Sequence, residues 1–411
     1  MPKPELITKL AELAVKVGAN VQKDQDVVIS TSVETKVLAR EIVKQAYLQG
    51  AKQVHVLWRD EFVSRDTLLH ASLETLTDIP EWSIQRYQHY VDIGAAMISI
   101  LSPIPGLNKD VDAMKAQKAG IAMQKAISFY REHTMGNKVQ WTIVSEPNPI
   151  WAKQVFPELT EEDAVEKLWG AILDASRVTE TNDPIKEWEI HNENLLAHNQ
   201  VLNNYNFKHL HFKNSLGTDL IVELVPNHIW AGGGEIAANG VYFNPNIPTE
   251  ENFTMPYKWG TRGRVVATKP LNYQGRLIKD FWLEFKDGKV VDFDAAEEKE
   301  TLRNILDADE GSRYIGEIAL ISHDSPISNT NILFLNTLFD ENASCHMALG
   351  RAYPMNIKGG LEADIKTLEE KGFNNSIVHA DFMFGSEDME IIGLTQDGQE
   401  VHVFKNGNFV I

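Results

Sequence analysis

Short apolar runs rich in β-branched residues alternate with helical patterns over the first 185 residues, and this alternation constrains the fold more than any other feature. The strand-like runs are residues 26–31, 53–58, 92–101 and 139–144, and the helical patterns are residues 36–49, 109–132 and 161–175. Because strands joined through helices return side by side in the same direction, this succession is typical of a parallel sheet. The sequence therefore predicts an α/β N-terminal domain with a mostly parallel sheet at residues 1–185.

The pattern changes after a polar helical segment at residues 183–204. Hairpin patterns follow, in which strand-like residues flank a short turn, at residues 210–224, 281–291 and 401–411. A tight turn joins neighbouring strands in the antiparallel sense. The sequence therefore predicts an α+β C-terminal domain, residues 186–411, with substantial antiparallel sheet.

Charge and cysteine content narrow the surroundings in which the chain works. Its formal net charge of −19 repels a phosphate backbone, so nucleic acid is not expected as a partner. Cys345 is the single cysteine, which excludes an intramolecular disulfide and suits a reducing compartment. The first 21 residues have a charged helical pattern unlike a signal peptide, and no run approaches the ~18 apolar residues of a membrane helix. We predict a cytoplasmic protein that does not associate with membranes.

Polar residues of the metal-ligand type interrupt apolar runs in the second half. In the strand-like segment SIVHADFMF, His379 and Asp381 are two residues apart and therefore share one face of the strand. Such a pair can present two ligand groups to one centre, or it can form a hydrogen-bonded pair at a sheet edge. The residues alone leave both interpretations open.

Three further segments carry acids or histidines in a similar setting. Glu317 interrupts the apolar run YIGEIALI, where a buried acid needs either a metal or a basic partner such as Arg313. Glu341 and His346 flank the small residues of ENASCHMALG. Glu250 and Glu251 follow the prolines of NPNIPTEENF, and adjacent acids are usually exposed.

Cys345 and His346 are neighbours, which raises the alternative of a cysteine nucleophile activated by histidine. Adjacent residues of an extended strand face opposite ways, so the two side chains should not meet. We therefore predict that Cys345 is a small buried apolar residue.

The four segments together favour a two-metal site. Three glutamates, one aspartate and two neutral histidines carry four negative charges, which two divalent cations would balance. Paired ions that share a water form a recurring hydrolytic device. Carboxylates with some imidazole suit zinc, cobalt or manganese and do not choose among them.

The segments NPNIPTEENFTMP, YIGEIALI, ENASCHMALGRAYP and NSIVHADFMFG, in this order, resemble the aminopeptidase T / aminopeptidase S family of metallo-aminopeptidases, the PepS type. The resemblance covers the whole chain and implies a dinuclear catalytic C-terminal domain. The ligands that it implies are Glu251, Glu317, Glu341, His346, His379 and Asp381. It also implies that Glu317 bridges the ions, and that Glu250 is either the general base or the ligand in place of Glu251.

Further expectations follow from the same resemblance. Tyr353, in GRAYP, corresponds to the family's active-site tyrosine, whose hydroxyl would donate to the developing oxyanion. The expected substrates are short peptides with a free N-terminus, and the expected assembly is a homodimer. The expected activity is metal-dependent hydrolysis of N-terminal residues.

Other functions remain as alternatives. A nucleotide-binding oxidoreductase would suit the α/β half, but neither G-x-G-x-x-G after the early strands nor G-x-x-x-x-G-K-[ST] occurs, and Gly232–Gly234 is typical of a tight loop. A dipeptidase, carboxypeptidase or phosphoesterase could use the same ligands. A non-catalytic metal- or peptide-binding protein would keep the ligands without turnover.

Overall fold

A four-stranded parallel sheet organises the first part of the chain in the computed structural model, which describes residues 2–411. Its strands are β1 (Asp26–Ser32), β2 (Gln53–Arg59), β3 (Ala96–Leu101) and β4 (Trp141–Ser145), in the order β2-β1-β3-β4. Every pairing is parallel. Val27, Val28 and Ile29 of β1 are buried on both faces, as a sheet covered by helices requires. The predicted α/β domain with a parallel sheet is confirmed.

Ten α-helices accompany this sheet and lead out of it within the described residues. They are α1 (Pro4–Leu13), α2 (Lys36–Gln49), α3 (Glu61–His70), α4 (Leu73–Thr77), α5 (Glu81–Asp92), α6 (Ala113–Ala126), α7 (Ser128–Met135), α8 (Pro149–Val155), α9 (Glu161–Ala175) and α10 (Pro184–Tyr205). Two predicted elements differ most from the structure. The strand predicted from residue 92 begins at Ala96, because α5 runs to Asp92 and a turn follows it. The helix predicted over residues 109–132 is divided at Ile127 into α6 and α7.

Antiparallel strands dominate the second part of the chain. They are β5 (Phe207–Lys213), β6 (Asp219–Leu224), β7 (Glu235–Ile236), β8 (Tyr242–Phe243), β9 (Asn252–Thr254), β10 (Pro256–Val266), β11 (Leu271–Tyr273), β12 (Arg276–Lys286), β13 (Lys289–Glu297), β14 (Ile315–Leu320), β15 (His346–Gly350), β16 (His379–Met383), β17 (Glu390–Thr395), β18 (Glu400–Lys405) and β19 (Asn408–Phe409). Short helices α11 (Lys299–Leu306), α12 (Thr337–Asp340) and α13 (Ile365–Glu370) lie between them. The predicted antiparallel α+β character is confirmed.

Two sheets matter for the site. The larger has nine strands, in the order β11-β12-β10-β6-β5-β17-β18-β19 with β13 beside β12. The smaller has four antiparallel strands in the order β16-β15-β14-β9. One apolar core unites side chains of both sheets, including Phe281 and Leu283 of β12 and Phe382 of β16.

The chain divides into two units. One comprises the residues up to Asn192 together with Gly234–Pro248, and the other comprises Glu193–Gly233 and Thr249–Ile411. All the predicted site residues belong to the second unit. The domain boundary predicted between residues 185 and 186 remains a prediction. Among residues 2–411, no helix combines the length and apolar character needed to span a membrane.

Candidate metal centre

The four-stranded sheet has one apolar face and one face that carries acids and histidines. Core side chains come from the first face: Ile318, Leu320, Met347, Leu349 and Phe382. On the other face, Ala348 of β15 stands directly opposite Glu317 of β14 on one side and Asp381 of β16 on the other. Residues directly opposite each other share a face of a sheet. Register therefore brings the two carboxylates to one surface, with a methyl group between them.

Glu317 is at the middle of this surface and contacts both histidines. Its Oε1 lies 3.5 Å from His346 Nε2, and its Oε2 lies 3.7 Å from His379 Nε2. The side chain is buried, with 4% of the residue exposed. One carboxylate thus presents its two oxygens to two different imidazoles.

Two groups of ligand atoms meet at Glu317. The first is Glu251, Glu317 and His346, and the second is Glu317, His379 and Asp381. Within each group, one donor atom per residue lies within 4.8 Å of the others. Glu251 Oε2 is 3.2 Å from His346 Nε2, and Asp381 Oδ1 is 3.3 Å from His379 Nε2. Five of the six predicted ligands are therefore brought together.

The sixth predicted ligand, Glu341, is outside both groups. It lies in the single turn Glu341–Ala343 after α12, close enough that the charges of Asp381 and His346 act on its carboxyl group. Its backbone carbonyl accepts a hydrogen bond from His346 Nδ1 at 2.9 Å. This residue therefore orients one of the predicted ligands through its main chain.

Backbone carbonyls fix both imidazoles. His379 Nδ1 donates to the carbonyl oxygen of Arg351 at 2.8 Å, as His346 Nδ1 does to that of Glu341. A bond from Nδ1 sets the tautomer and leaves Nε2 as the ligand atom. In both rings Nε2 is the atom that faces Glu317.

The electrostatics of the metal-free centre favour positively charged histidines. Burial by itself would lower the pKa of His379, but the neighbouring Asp381 and Glu317 raise it to about 9. Burial would also lower the pKa of His346. Its hydrogen bonds to Glu251 and Glu317 outweigh this effect and raise the pKa well above its ordinary value. The carboxylates thus attract positive charge to the positions where cations would bind.

Burial and the neighbouring charges shift the pKa values of the carboxyl groups in different directions. Burial, together with the charges of Glu251 and Asp381, raises the pKa of Glu317. Burial and Asp381 raise the pKa of Glu341 well above its ordinary value. Burial would raise the pKa of Asp381, but the neighbouring His379 outweighs this effect and lowers the pKa below its ordinary value. Buried like charges at this density are costly unless cations compensate them.

The donor set fits divalent cations. Asp381 Oδ1 is buried and accepts no hydrogen bond, although His379 lies beside it. Carboxylate oxygens and imidazole nitrogens together suit first-row divalent metals. The alternative partner for Glu317 is excluded, because Arg313 instead binds Asp307 at 2.6 Å.

Tyr353 packs against one imidazole of the centre, and Glu250 directly precedes Glu251 in the chain. The Tyr353 ring packs edge-on against His379, with 5.0 Å between ring centroids, and it also contacts Phe253. Burial and the surrounding carboxylates raise the pKa of its hydroxyl well above the ordinary value, so the hydroxyl keeps its proton. The backbone N–H of Glu250 donates to Asn342 Oδ1 at 2.7 Å.

Cys345 takes no part in the centre. It is 2% exposed, and its thiol donates to the carbonyl oxygen of Ile321. Burial raises the pKa of the thiol to about 11, so a thiolate does not form near neutral pH. The prediction that it is a small buried apolar residue is confirmed.

Gly232 and Gly233 of the glycine cluster lie in a tight loop, and Gly232 is beside the backbone of Glu251. Gly232 and Gly233 have φ of 152° and 80°, and a Cβ on Gly232 would collide with the carbonyl oxygen of Glu251. Sequence reasoning placed the cluster in a loop but did not connect it with a ligand.

Several supporting residues escaped sequence reasoning altogether. Asn342 is fully buried and joins two ligand-bearing segments, since it accepts from Glu250 and donates to Leu338. Ala348 leaves space between two carboxylates. Their signal in the sequence is weak, because an asparagine or alanine near an acid has many possible roles.

Comparisons with known proteins place the chain in a family. The family model of the thermophilic metalloproteases (M29) matches residues 3–409. Aminopeptidase 2 of Geobacillus stearothermophilus is 45% identical over 98% of this chain and 97% of that protein. Aminopeptidase AmpS of Bacillus subtilis is 44% identical over 97% of each.

A solved structure agrees with the sequence comparisons. Wild-type AmpT from Thermus thermophilus superimposes with a TM-score of 0.91 at 37% identity, covering 99% of both chains. The predicted resemblance to aminopeptidases T and S is therefore confirmed, and the chain belongs to the thermophilic metalloprotease (M29) family.

Proposed function

We propose that the centre holds two divalent cations and that the enzyme removes N-terminal residues from short peptides. The class of enzyme, a metallo-aminopeptidase, follows from the family. The dinuclear site is supported above all by one observation, that the two oxygens of Glu317 face two different imidazoles at 3.5 and 3.7 Å. A carboxylate that served one ion would not need a second histidine on its other oxygen.

The proposed ligand set follows from the two groups. Glu251 and His346 would hold one ion, His379 and Asp381 the other, and Glu317 both. We assign Glu341 as a further ligand from the resemblance and from its electrostatic coupling to Asp381 and His346. Zinc, cobalt and manganese all suit these donors.

Cations bound here would polarise the scissile carbonyl and lower the pKa of a water molecule. The protein's own groups would supply the remaining chemistry. Tyr353 keeps its hydroxyl proton, so the hydroxyl could donate a hydrogen bond to the carbonyl oxygen as negative charge develops. Glu250, whose backbone is held by Asn342, is the proposed base that receives a proton from water and returns it to the leaving amine.

The surroundings of the activity are also part of the proposal. We propose residues 186–411 as the catalytic domain, since all the candidate ligands lie there. The proposed assembly is a homodimer and the proposed compartment the cytoplasm, the latter supported by a single cysteine that is buried and free. Light scattering of the purified protein and cell fractionation test these two points.

The catalytic proposal is tested with metal-free protein that is reloaded separately with zinc, cobalt or manganese. One short peptide is offered with a free and with an acetylated N-terminus, and products are followed by mass. We expect stepwise loss of N-terminal residues, only from the free-amine peptide and only with metal.

Other outcomes would favour other functions. Cleavage of both forms, or cleavage from the C-terminus, would point to a different two-metal hydrolase. Stoichiometric metal binding without cleavage would point to a binding protein. Full activity in the metal-free protein would overturn the proposal.

A further inference from the structure

Gly316 lies in β14 between a core residue and the central ligand, and the strand is irregular there. Ile315 stands opposite Leu349 and Glu317 stands opposite Ala348, so two residues of β14 advance against one of β15. This is the pattern of a β-bulge, with Gly316 as the extra residue. Bulges bend a strand and redirect the side chains that follow them.

The bulge allows Glu317 and the two neighbouring isoleucines of β14 to lie on the faces of the sheet that suit them. Ile315 and Ile318 both belong to the apolar core, although residues three apart in a regular strand point to opposite faces. In an unbroken strand, Glu317 would share the face of Ile315 and would enter the core. The extra residue returns Glu317 to the ligand face while both isoleucines stay buried.

Only glycine fits at this point. A Cβ on Gly316 would overlap the carbonyl carbon and oxygen of Arg351 and the carbonyl oxygen of Gly350. These are backbone atoms of the neighbouring strand end, so they cannot move aside as a flexible side chain could. The adjacent N–H of Gly350 also donates to the Tyr314 carbonyl at 2.7 Å, which holds the two segments together.

The Arg351 carbonyl, which lies beside Gly316, is also the group that orients His379. Arg351 O accepts the hydrogen bond from His379 Nδ1 at 2.8 Å. Displacement of this oxygen would rotate the imidazole, whose Nε2 faces Glu317 and Asp381. Gly316 therefore acts on one proposed ligand through the chain and on another through packing.

We propose that Gly316 is a positioning residue of the metal centre, which sets the aim of Glu317 and, through the Arg351 carbonyl, of His379. The proposal rests on the proposed metal function. A side chain at position 316 should weaken metal binding although it touches no ligand atom. Loss of an outer contact to a metal-binding histidine costs about 10- to 100-fold in metal affinity or activity.

The experiment compares Gly316→Ala with Gly170→Ala, a control in α9 where a Cβ would meet no atom within 4 Å. Metal affinity is measured by competition with a chromogenic chelator, and the cobalt-loaded proteins are compared by visible absorption. We expect about 10- to 100-fold weaker binding and an altered cobalt spectrum in Gly316→Ala, with wild-type circular dichroism in the metal-free state. The control should match the wild type in every measurement.

Wild-type affinity and an unchanged cobalt spectrum in Gly316→Ala would overturn the proposal. A variant that loses its native circular dichroism would also overturn it, because the glycine would then serve folding. Gly316→Ser, which adds a Cβ at the same point, is the second variant: weakened binding with native circular dichroism supports the proposal, and wild-type affinity contradicts it. Glu317→Gln is measured in parallel to distinguish failure of the positioning role from failure of the proposed metal function. Unchanged metal binding in Glu317→Gln would refute the proposed ligand set itself.

Discussion

Replacement of Glu317 by glutamine should affect the stability of the metal-free protein and that of the metal-loaded protein in opposite directions. Glutamine keeps the shape and removes the charge. Burial and neighbouring acids raise the pKa of Glu317, so the folded metal-free protein disfavours its ionised form. A carboxyl group with a raised pKa loses its contribution to stability as the pH rises through that pKa. At neutral pH we therefore expect metal-free Glu317→Gln to be at least as stable as the wild type.

The metal-loaded protein should respond strongly. Structural zinc sites with four ligands bind with roughly 10–16 kcal/mol, which is about 3 kcal/mol per ligand. A factor of ten corresponds to about 1.4 kcal/mol, so loss of one ligand weakens binding by more than about 100-fold. Because Glu317 faces His346 and His379, both ions should be affected.

The assay combines metal titration with thermal unfolding at fixed protein concentration. Glu400→Gln is the matched control, since Glu400 is an exposed glutamate in strand β18. Wild type and control should gain stability on addition of metal, and Glu317→Gln should gain little, with peptidase activity lost in parallel. Metal affinity within threefold of the wild type in Glu317→Gln would refute the bridging role.

Three further predictions concern other parts of the molecule. Tyr353→Phe should keep metal affinity and lower kcat at least tenfold, because only the hydroxyl is removed; steady-state kinetics and metal titration decide, and an unchanged kcat contradicts the role. Ala348→Leu should exclude metal, because the larger side chain fills the space between Glu317 and Asp381; elemental analysis after dialysis checks this, and a full metal content contradicts it. The carboxylate of Glu146 accepts a hydrogen bond from the Leu38 N–H at 2.8 Å, and burial raises the pKa of Glu146 to about 7. Its contribution to stability is therefore complete below the pKa of the unfolded state and is lost as the pH rises through about 7. The free energy of unfolding of Glu146→Gln, measured with urea, should therefore increase by roughly 3 kcal/mol relative to that of the wild type between pH 5 and pH 8. A difference between the two proteins that does not change with pH would contradict this.

Sequence periodicity predicted the type of fold because the signals are local. Alternating strands and helices define the parallel sheet, and turn residues between apolar runs define the hairpins. Boundaries were less well predicted where a helix ends in a turn just before a strand. Residues 93–95 show this, since these small or apolar residues suit either element.

Glu317, His379 and Asp381 were visible in the sequence because they interrupt apolar runs, an unfavourable pattern unless such groups bind something, whereas the complete ligand set came from the family resemblance. Their convergence was not visible, because Glu251 and Asp381 approach one centre only through the pairing of four strands. The supporting contacts were hidden for another reason. Backbone carbonyls such as that of Arg351, and the bulge at Gly316, leave no distinctive residue pattern.

Anomalous X-ray diffraction from crystals of the zinc-loaded protein would show directly whether two cations share the Glu317 carboxylate. We expect two anomalous peaks per chain, one beside Glu251 and His346 and the other beside His379 and Asp381, with the Glu317 carboxylate between them. One peak alone, or peaks away from Glu317, would contradict the shared two-metal centre.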